Sequence, residues 1–281
     1  MSRLYQRWPL PACGLLVVVF SAALSHGAPP VPRLNLVKVR LGEQWHIDHA
    51  THHVQGLCVS ENFFWISSVE RRKKAGWIFK VDRRQLKVVA TKKLVDGPRF
   101  HPGGMQLVDN RIWVPLAEYR RHSTSKVLAL NADTLAETYH FGVDDHLGAV
   151  AVDDQGNIYA ANWDARQVHV FDRHGKRLRM IDTTTGVAYQ DFEHHDGYLW
   201  GTGRAMVDGV EQSVVDVLDR ENLTLRARVV LLGKTKTPGA YFAREGFSLF
   251  RKELYLMPED GPNTRIYQFP PQATGLEELF R

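Results

Sequence analysis

Cysteines, long apolar runs and familiar catalytic motifs are all scarce in this chain of 281 residues. It has two cysteines, and its longest apolar run covers residues 13–24, short of the roughly 20 residues that a membrane-spanning helix needs. It has no Gly-rich phosphate loop, no nucleophile elbow, no His-Glu-x-x-His helix and no pair of cysteines for zinc. These absences exclude a spanning helix and the enzyme classes that such motifs mark.

The N-terminal segment has the order of features that protein export requires. Arg3 and Arg7 precede the apolar run, and small residues follow it up to Ala28. This order is typical of a secretory signal peptide, so we expect residues 1–27 to be removed and the protein to be secreted or periplasmic. Cys58 would then be the sole remaining cysteine, which leaves no internal disulfide, and its apolar neighbours indicate a packed thiol.

The overall charge is too small to indicate a polyanionic partner. The net charge of +5 falls to +3 without Arg3 and Arg7, when 34 Lys and Arg stand against 31 Asp and Glu. Nucleic-acid binding is therefore not expected from charge. We expect a monomer without a transmembrane segment that binds a small polar or anionic molecule.

A segment that recurs about every 45 residues is the strongest feature present. Copies begin at His53, His101 and His146, with spacings of 48 and 45, and shorter matches begin at Tyr189 and Arg244. Each copy continues with a turn signal, a hydrophobic strand and a third strand, and the first four add a more charged strand. Periods of 40 to 50 residues built from short strands indicate a β-propeller. The sequence predicts an all-β fold with five four-stranded antiparallel blades; six blades, the alternative, would need one more repeat.

Ring closure must involve the N-terminal part of the domain. The fifth copy lacks a fourth strand, and residues 34–41 alternate between apolar and polar types without a blade of their own. An open ring would leave exposed sheet edges, so we predict that residues 34–41 close the fifth blade. The expected organisation is a signal peptide (1–27), a linker (28–33), one propeller domain (34–272) and a C-terminal tail (273–281).

The recurrent histidines are the first candidates for a functional site. Pseudo-symmetry should bring His53, His101 and His146 around the mouth of the central channel, with Glu245 beside them. Three imidazoles and a carboxylate would suit one divalent metal ion, which could polarise a carbonyl or activate water. Two alternatives remain open, namely structural hydrogen bonds to the neighbouring blade and direct contact with a polar or anionic ligand.

Other polar residues are expected on the same face, after second strands or at the start of innermost strands. The candidate ligand-binding residues are Gln55, Glu118, Arg120, Gln190, Asp191, Arg204 and Arg244. Weaker candidates include Asp164, Glu259 and Asp260, and Tyr119 and Trp163 could form apolar walls. His194 and His195 are expected in a solvated turn toward the opposite face.

Four strings of residues carry a family resemblance. They are His-His-Val-Gln-Gly-Leu (52–57), Trp-Ile-Ser-Ser-Val-Glu (65–70), His-Pro-Gly-Gly-Met-Gln (101–106) and Arg-Glu-Gly-Phe (244–247). They resemble a family of secreted propeller proteins of unknown function. More remotely, the chain is similar to gluconolactonase and strictosidine-synthase-like propellers, where an acidic residue opening an innermost strand, as Glu245 does here, helps to hold a divalent metal. Those propellers have six repeats, and they use Asn and Asp where this chain has histidines.

Function can be stated only as a preference, because a fold does not select an activity. The sequence favours a propeller that binds a small polar or anionic ligand at the mouth of its channel. The alternative is a metal-dependent hydrolase, lactonase-like or esterase-like, or a lyase, with a His-rich site at the same place. Whether the protein is an enzyme stays open.

Overall fold

Short strands dominate the part of the chain that the structure describes. The structure is a computed structural model that describes residues 42–237 and 240–271, and the backbone alone of residues 33–38. The expected signal peptide (1–27), residues 28–32 of the expected linker and the expected tail (273–281) lie outside these residues. Within the described ranges, no helix is long and apolar enough to cross a membrane.

Five sheets form the five blades that the repeats predict. Blade 1 consists of His53–Val59, Phe63–Glu70, Ala75–Asp82 and Lys87–Leu94, with the 3-10 helix Arg71–Lys73 between its second and third strands. Blade 2 consists of a first strand in two pieces, Arg99–Pro102 and Gln106–Val108, then Arg111–Glu118, Ser125–Asn131 and Glu137–Val143. Blade 3 consists of Leu147–Val152, Ile158–Asn162, Gln167–Phe171 and Arg177–Asp182. Blade 4 consists of Asp191–His195, Tyr198–Val207, Val210–Asp219 and Leu225–Leu232. Blade 5 consists of Gly246–Phe250, Glu253–Met257, Arg265–Phe269 and the earlier segment Gln44–His46.

Two-residue turns link the innermost strand to the second strand in blades 2, 4 and 5. Asp109 and Asn110 have φ angles of 47° and 59°, and the flanking residues Val108 and Arg111 pair directly. Positive φ at both central positions matches the right-handed twist of the paired strands, and Asn, Asp and Gly tolerate it best. The turn residues in the sequence therefore fix these hairpins.

Five apolar clusters hold the ring together, one between each pair of neighbouring blades. Between blades 4 and 5, for example, Trp200 packs in one cluster with Phe247 and Tyr267. Each such fully buried side chain contributes about 1.5–3 kcal/mol relative to an exposed one. Cys58 is a buried free thiol in the cluster between blades 1 and 2, as expected of a packed cysteine.

An N-terminal strand closes the fifth blade, but residues 34–41 do not supply it. Gln44–His46 pairs antiparallel with Arg265–Phe269, and Trp45 lies 5.4 Å from the ring of Phe64 in blade 1 and 5.9 Å from Tyr255 in blade 5. Arg33–Lys38 instead runs parallel to Leu225–Leu232 as a fifth strand of blade 4. Alternation identifies a strand but not its partner, and a three-residue strand has too short a pattern to detect. This explains the wrong assignment.

The innermost strands approach one another closely where they begin. A Cβ atom on Gly103 would overlap the carbonyl oxygen of Gly148, and the Gly104 N–H donates to that same oxygen at 2.8 Å. Blade 4 has Asp191 here instead of glycine. Its fully buried carboxylate accepts the backbone N–H groups of Phe192 at 2.9 Å and Phe247 at 3.1 Å. Glycines and one aspartate therefore close the channel where the innermost strands begin.

Candidate functional site

Each recurrent histidine bonds to the blade that precedes its own. We call the face on which the innermost strands begin the top face. There, His53 Nδ1 lies 3.0 Å from Asp260 Oδ1 of blade 5, and His101 Nε2 donates to Gln55 Oε1 of blade 1 at 2.9 Å. His146 Nδ1 donates to the carbonyl oxygen of Arg120 in blade 2 at 3.0 Å. The histidines therefore join neighbouring blades, which is one of the alternatives that the sequence left open.

His53, Glu245 and Asp260, here called the His53 cluster, form a group of potential ligands. One donor atom from each residue lies within 4.8 Å of the other two. His53 opens the innermost strand of blade 1. Asp260 follows the second strand of blade 5, and Glu245 directly precedes the innermost strand of that blade. His101 and His146 do not belong to this group. Of the four metal ligands that the sequence suggests, the structure thus brings two together and adds Asp260.

The protonation of the His53 cluster is governed by burial and by pairing. Burial raises the pKa of Glu245 to about 8, against the attraction of His53 and Arg244. Burial alone would lower the pKa of His53, but the hydrogen bond to Asp260 and the nearby negative charges raise it overall. Burial would likewise raise the pKa of Asp260, but its bond to His53 holds that pKa low. Near neutral pH, the cluster therefore combines an ionised aspartate with a largely neutral glutamic acid.

Arg244 spans the two carboxyl groups of the His53 cluster. Its Nε lies 3.0 Å from Glu245 Oε1, and a terminal nitrogen lies 3.5 Å from Asp260 Oδ2. The arginine side chain is 42% exposed, whereas the Glu245 side chain is 6% exposed. Because Glu245 is largely neutral near pH 7, its contact with Arg244 is a hydrogen bond to a protonated carboxyl group. The exposed part of the guanidinium therefore has N–H groups that can also donate to a ligand from solvent.

Gln55 connects the His53 cluster to His101. Its Nε2 donates to the carbonyl oxygen of Val54 at 2.8 Å and to Glu245 Oε2 at 3.4 Å, and its Oε1 accepts from His101. Burial and the neighbouring His146 lower the pKa of His101 well below its usual value. His101 is therefore neutral, and its buried Nδ1 has no hydrogen-bond partner.

Aromatic rings border the same side of the top face. The Tyr119 ring lies 4.4 Å from His101, and the Trp163 ring lies 4.4 Å from His146. The Arg71 guanidinium lies 4.4 Å above the Tyr119 ring. Both aromatic rings are partly exposed, as the expected apolar wall of a pocket would be. Burial lowers the pKa of His146 to about 4, so this imidazole is also neutral.

The remaining candidates are spread more widely. Glu118 accepts from Arg120 Nε at 2.8 Å and from Thr124, and these bonds lower its pKa. That network stabilises the loop between the second and third strands of blade 2. Arg204 pairs with Glu211 at 3.0 Å and its guanidinium lies 5.5 Å above the ring of Tyr241.

Two candidates have local roles in this structure. Gln190 is exposed, and its Nε2 donates to the carbonyl oxygen of Ala188 at 3.3 Å. Asp191 is fully buried within the ring. A carboxylate whose oxygens accept buried backbone N–H groups satisfies donors that would otherwise be unpaired, so the contacts of Asp191 are structural.

Comparisons with known structures bear on the fold of this chain, and a comparison with family models bears on its family. A glutaminyl cyclase from Myxococcus xanthus is similar over 85% of this chain and 97% of its own, with a TM-score of 0.64 and 11% identity. A protein of unknown function from Bacteroides caccae is similar over 76% of this chain and 73% of its own, with a TM-score of 0.51 and 11% identity. At such low identity, these similarities show the fold alone. No curated protein sequence matches the chain. The model of the family of unknown function DUF6454 matches residues 39–190, more than half of the chain, and the chain therefore belongs to that family.

Proposed function

We propose that this propeller binds a small carboxylate at its top face, beside the His53 cluster. One observation carries the proposal. Arg244, whose side chain is partly exposed, contacts both the buried carboxyl group of Glu245 and the Asp260 carboxylate that pairs with His53. An incoming carboxylate can accept from the Arg244 guanidinium, which suits planar bidentate recognition, and from the protonated carboxyl of Glu245.

The charges around the His53 cluster favour an anion. Arg244 is joined by Arg71, which acts on His101, and by Arg204, which acts on Glu245. Against these three cations stand the negative charges of Asp260 and of Glu211, which pairs with Arg204, while Glu245 is largely neutral below about pH 8. A net positive site attracts small anions and raises their local concentration.

The apolar wall sets the size and shape of the proposed ligand. Tyr119 and Trp163 stand at an angle of 88° with ring centres 6.1 Å apart. Aromatic surfaces with a few convergent polar groups are typical of small-molecule sites. A short carbon chain that bears at least one carboxylate would contact both features.

The test uses small carboxylates together with uncharged counterparts of the same shape. Succinate is compared with succinamide, and gluconate with sorbitol, by thermal shift and calorimetry on the chain that begins at Ala28. We expect saturable binding of at least one carboxylate and none of its uncharged counterpart. Arg244→Gln should weaken that binding about tenfold, as the loss of a charge-assisted hydrogen bond predicts.

A matched arginine provides the control for Arg244. Arg251 also lies in blade 5, but in the turn at the far end of the innermost strand, where it pairs with Glu61 at 2.6 Å. Arg251→Gln should leave carboxylate affinity unchanged. Equal weakening by both variants, or equal binding of succinate and succinamide, would refute the proposed site.

A divalent cation is the second candidate for the same place, because the His53 cluster offers one imidazole and two carboxylates. An ion with bonds of about 2.0–2.2 Å holds its donors no more than about 4.4 Å apart, so small rotations would complete the site. Such an ion would leave coordination positions open and could polarise a carbonyl or activate water. This is the chemistry that a hydrolase or lyase would require.

Arg244→Gln separates the two candidates because its effects have opposite signs. Arg244 competes with a cation for the two carboxylates, so its removal should increase the affinity for zinc or manganese. The same change should decrease the affinity for succinate or gluconate. Asp260→Asn should abolish metal binding by removing a donor charge, and metal content by elemental analysis of the purified protein provides the measurement.

A further inference from the structure

Arg71 on the top face is held by an aromatic ring and not by an acidic side chain. Four other arginines of this face pair with carboxyl groups, namely Arg120 with Glu118, Arg121 with Asp164, Arg204 with Glu211 and Arg244 with Asp260. Among the described residues, Arg71 has no such partner, and its guanidinium lies 4.4 Å above the Tyr119 ring. Arg71 is exposed. A guanidinium stacked on a ring keeps its N–H groups at the edge of its plane, where they can donate to an anion from solvent.

The loop that carries Arg71 is fixed by its own contacts. Arg71 opens the 3-10 helix Arg71–Lys73, and its carbonyl oxygen accepts the N–H of Lys74 at 3.2 Å. Glu70, the preceding residue, accepts from Lys73 Nζ at 2.8 Å, and this bond lowers the pKa of Glu70. The negative charge of Glu70 is therefore compensated by Lys73, so it does not occupy the Arg71 guanidinium.

An unbroken series of side-chain contacts connects Arg71 to Arg244. The contacts are those of Arg71 with Tyr119, Tyr119 with His101, His101 with Gln55, Gln55 with Glu245 and Glu245 with Arg244. Burial raises the pKa of the Tyr119 hydroxyl, the Arg71 guanidinium opposes this rise, and the carboxyl groups of Glu245 and Asp260 add to it. Tyr119 therefore lies within electrostatic reach of both Arg71 and the His53 cluster.

The side chains between the two arginines carry little charge near neutral pH. Burial lowers the pKa of His101 well below its usual value, so its imidazole is neutral, and burial raises the pKa of Glu245 to about 8. Gln55, which joins them, is uncharged and partly exposed. Asp260 is ionised, but it is already paired with His53 at 3.0 Å. The result is a neutral polar strip with a guanidinium at each end.

We propose that the top-face site selects small dicarboxylates, with one carboxylate at Arg244 and the other at Arg71. This inference rests on the proposed function, because it assigns the second end of a ligand whose first carboxylate contacts Arg244. Each guanidinium can form charge-assisted hydrogen bonds with a carboxylate. Two guanidiniums at a fixed separation select a ligand by its length as well as by its charge, because only one length lets both carboxylates bind without strain.

The experiment compares two series of ligands by calorimetry on the chain that begins at Ala28. The dicarboxylates are succinate, glutarate, adipate, pimelate and suberate, and the monocarboxylates of matching length are butyrate, pentanoate, hexanoate, heptanoate and octanoate. Affinity in the first series should pass through a maximum at one length and exceed that of the matching monocarboxylate about tenfold, as a second charge-assisted hydrogen bond predicts. The same steady rise with length in both series would show that apolar contact alone increases, and it would overturn the inference.

Arg71→Gln tests the second contact directly. It should weaken binding of the best dicarboxylate about tenfold and binding of the matching monocarboxylate far less, because the monocarboxylate loses only a distant charge. Arg72→Gln is the matched control, since it removes the same charge from the next residue of the same exposed 3-10 helix. Equal effects of the two variants, or equal weakening of both ligands by Arg71→Gln, would contradict the assignment. Arg244-dependent binding of monocarboxylates without a preference for dicarboxylates would refute this inference alone, whereas no binding in either series would refute the proposed function as well.

Histidine resonances measured by NMR report where the dicarboxylate binds. His101 belongs to the series of contacts between the two arginines, so its ring resonances should shift on binding. His194 is the internal reference at the opposite end of the ring of blades. The sequence suggests a solvated turn for it, but it lies within the strand Asp191–His195 and its side chain is 2% exposed; that expectation is wrong because the strand continues through His195 before the turn at Asp196. Equal shifts of both histidines would indicate a general effect of the salt and contradict binding between the arginines.

Discussion

Replacement of Glu193 by glutamine should remove a large part of the pH dependence of stability. Burial raises the pKa of Glu193 from 4.5 to about 8 in the folded protein. The folded state therefore retains a proton that the unfolded chain has already lost between these values. The stabilisation that this bound proton gives the folded state is complete below about pH 4.5 and is lost as the pH rises through about 8. The full shift corresponds to about 5 kcal/mol, at 1.36 kcal/mol for each pKa unit.

Glutamine is a suitable replacement because it resembles the protonated acid. Its oxygen can accept the Leu249 N–H, and its amide can donate to Ser248 Oγ, the two groups that bond to Glu193, because the Ser248 hydroxyl rotates freely. Asp191 on the same strand and Cys58 in blade 1 are the titratable groups coupled to Glu193. Both remain in the variant, so the difference between the two proteins reports the titration of residue 193 together with its effect on these two groups.

The assay is urea unfolding, followed by tryptophan fluorescence, between about pH 5 and pH 9. Near pH 5 the two proteins should have similar free energies of unfolding, and near pH 9 Glu193→Gln should be the more stable by several kcal/mol. Glu61→Gln, at a side chain that is 58% exposed, should show no such trend. Parallel pH profiles for the native protein and Glu193→Gln would refute the reasoning.

Three further predictions concern closure, export and the histidines. Trp45→Ala should lower the free energy of unfolding, measured with urea, by about 3 kcal/mol. This loss should exceed the loss caused by deletion of residues 28–38, and a larger loss from the deletion would contradict closure by Gln44–His46. Intact-mass measurement of the exported product should show an N-terminus near Ala28, and retention of residues 1–27 would contradict a signal peptide. His146→Ala should lower stability by about 1–3 kcal/mol through loss of its bond to the Arg120 carbonyl, with unchanged zinc and succinate binding; loss of bound metal without loss of stability would contradict that structural role.

The repeat alone was sufficient to predict the fold. Turn residues such as Asp109 and Asn110 accept the positive φ that a two-residue hairpin needs, and apolar runs such as residues 63–66 mark the strands between them. Both signals are local, because each depends on residues that are adjacent in sequence. Repetition of the same signals five times then indicates five equivalent units.

The site was predicted only in part, because its contacts join residues far apart in the chain. The sequence suggests that His53, His101 and His146 converge, and the rings of His101 and His146 do lie 5.4 Å apart. Each imidazole nevertheless bonds to a different partner in the preceding blade. Asp260, a weaker candidate in the sequence, joins His53 and Glu245 through ring closure. Equivalent positions in a repeat occupy equivalent places, but their hydrogen bonds depend on neighbours that are not equivalent.

The sequence by itself determined the class of fold, the number of blades and the face on which Glu245 and the histidines lie. The tertiary structure decided which segment closes the ring, which donors meet at the His53 cluster and that His194 is buried with an unpaired nitrogen. The physical reason is the range of the interactions involved. Periodicity and turn preference act between chain neighbours, whereas strand partners, burial and pKa values depend on which distant residues the closed ring brings into contact.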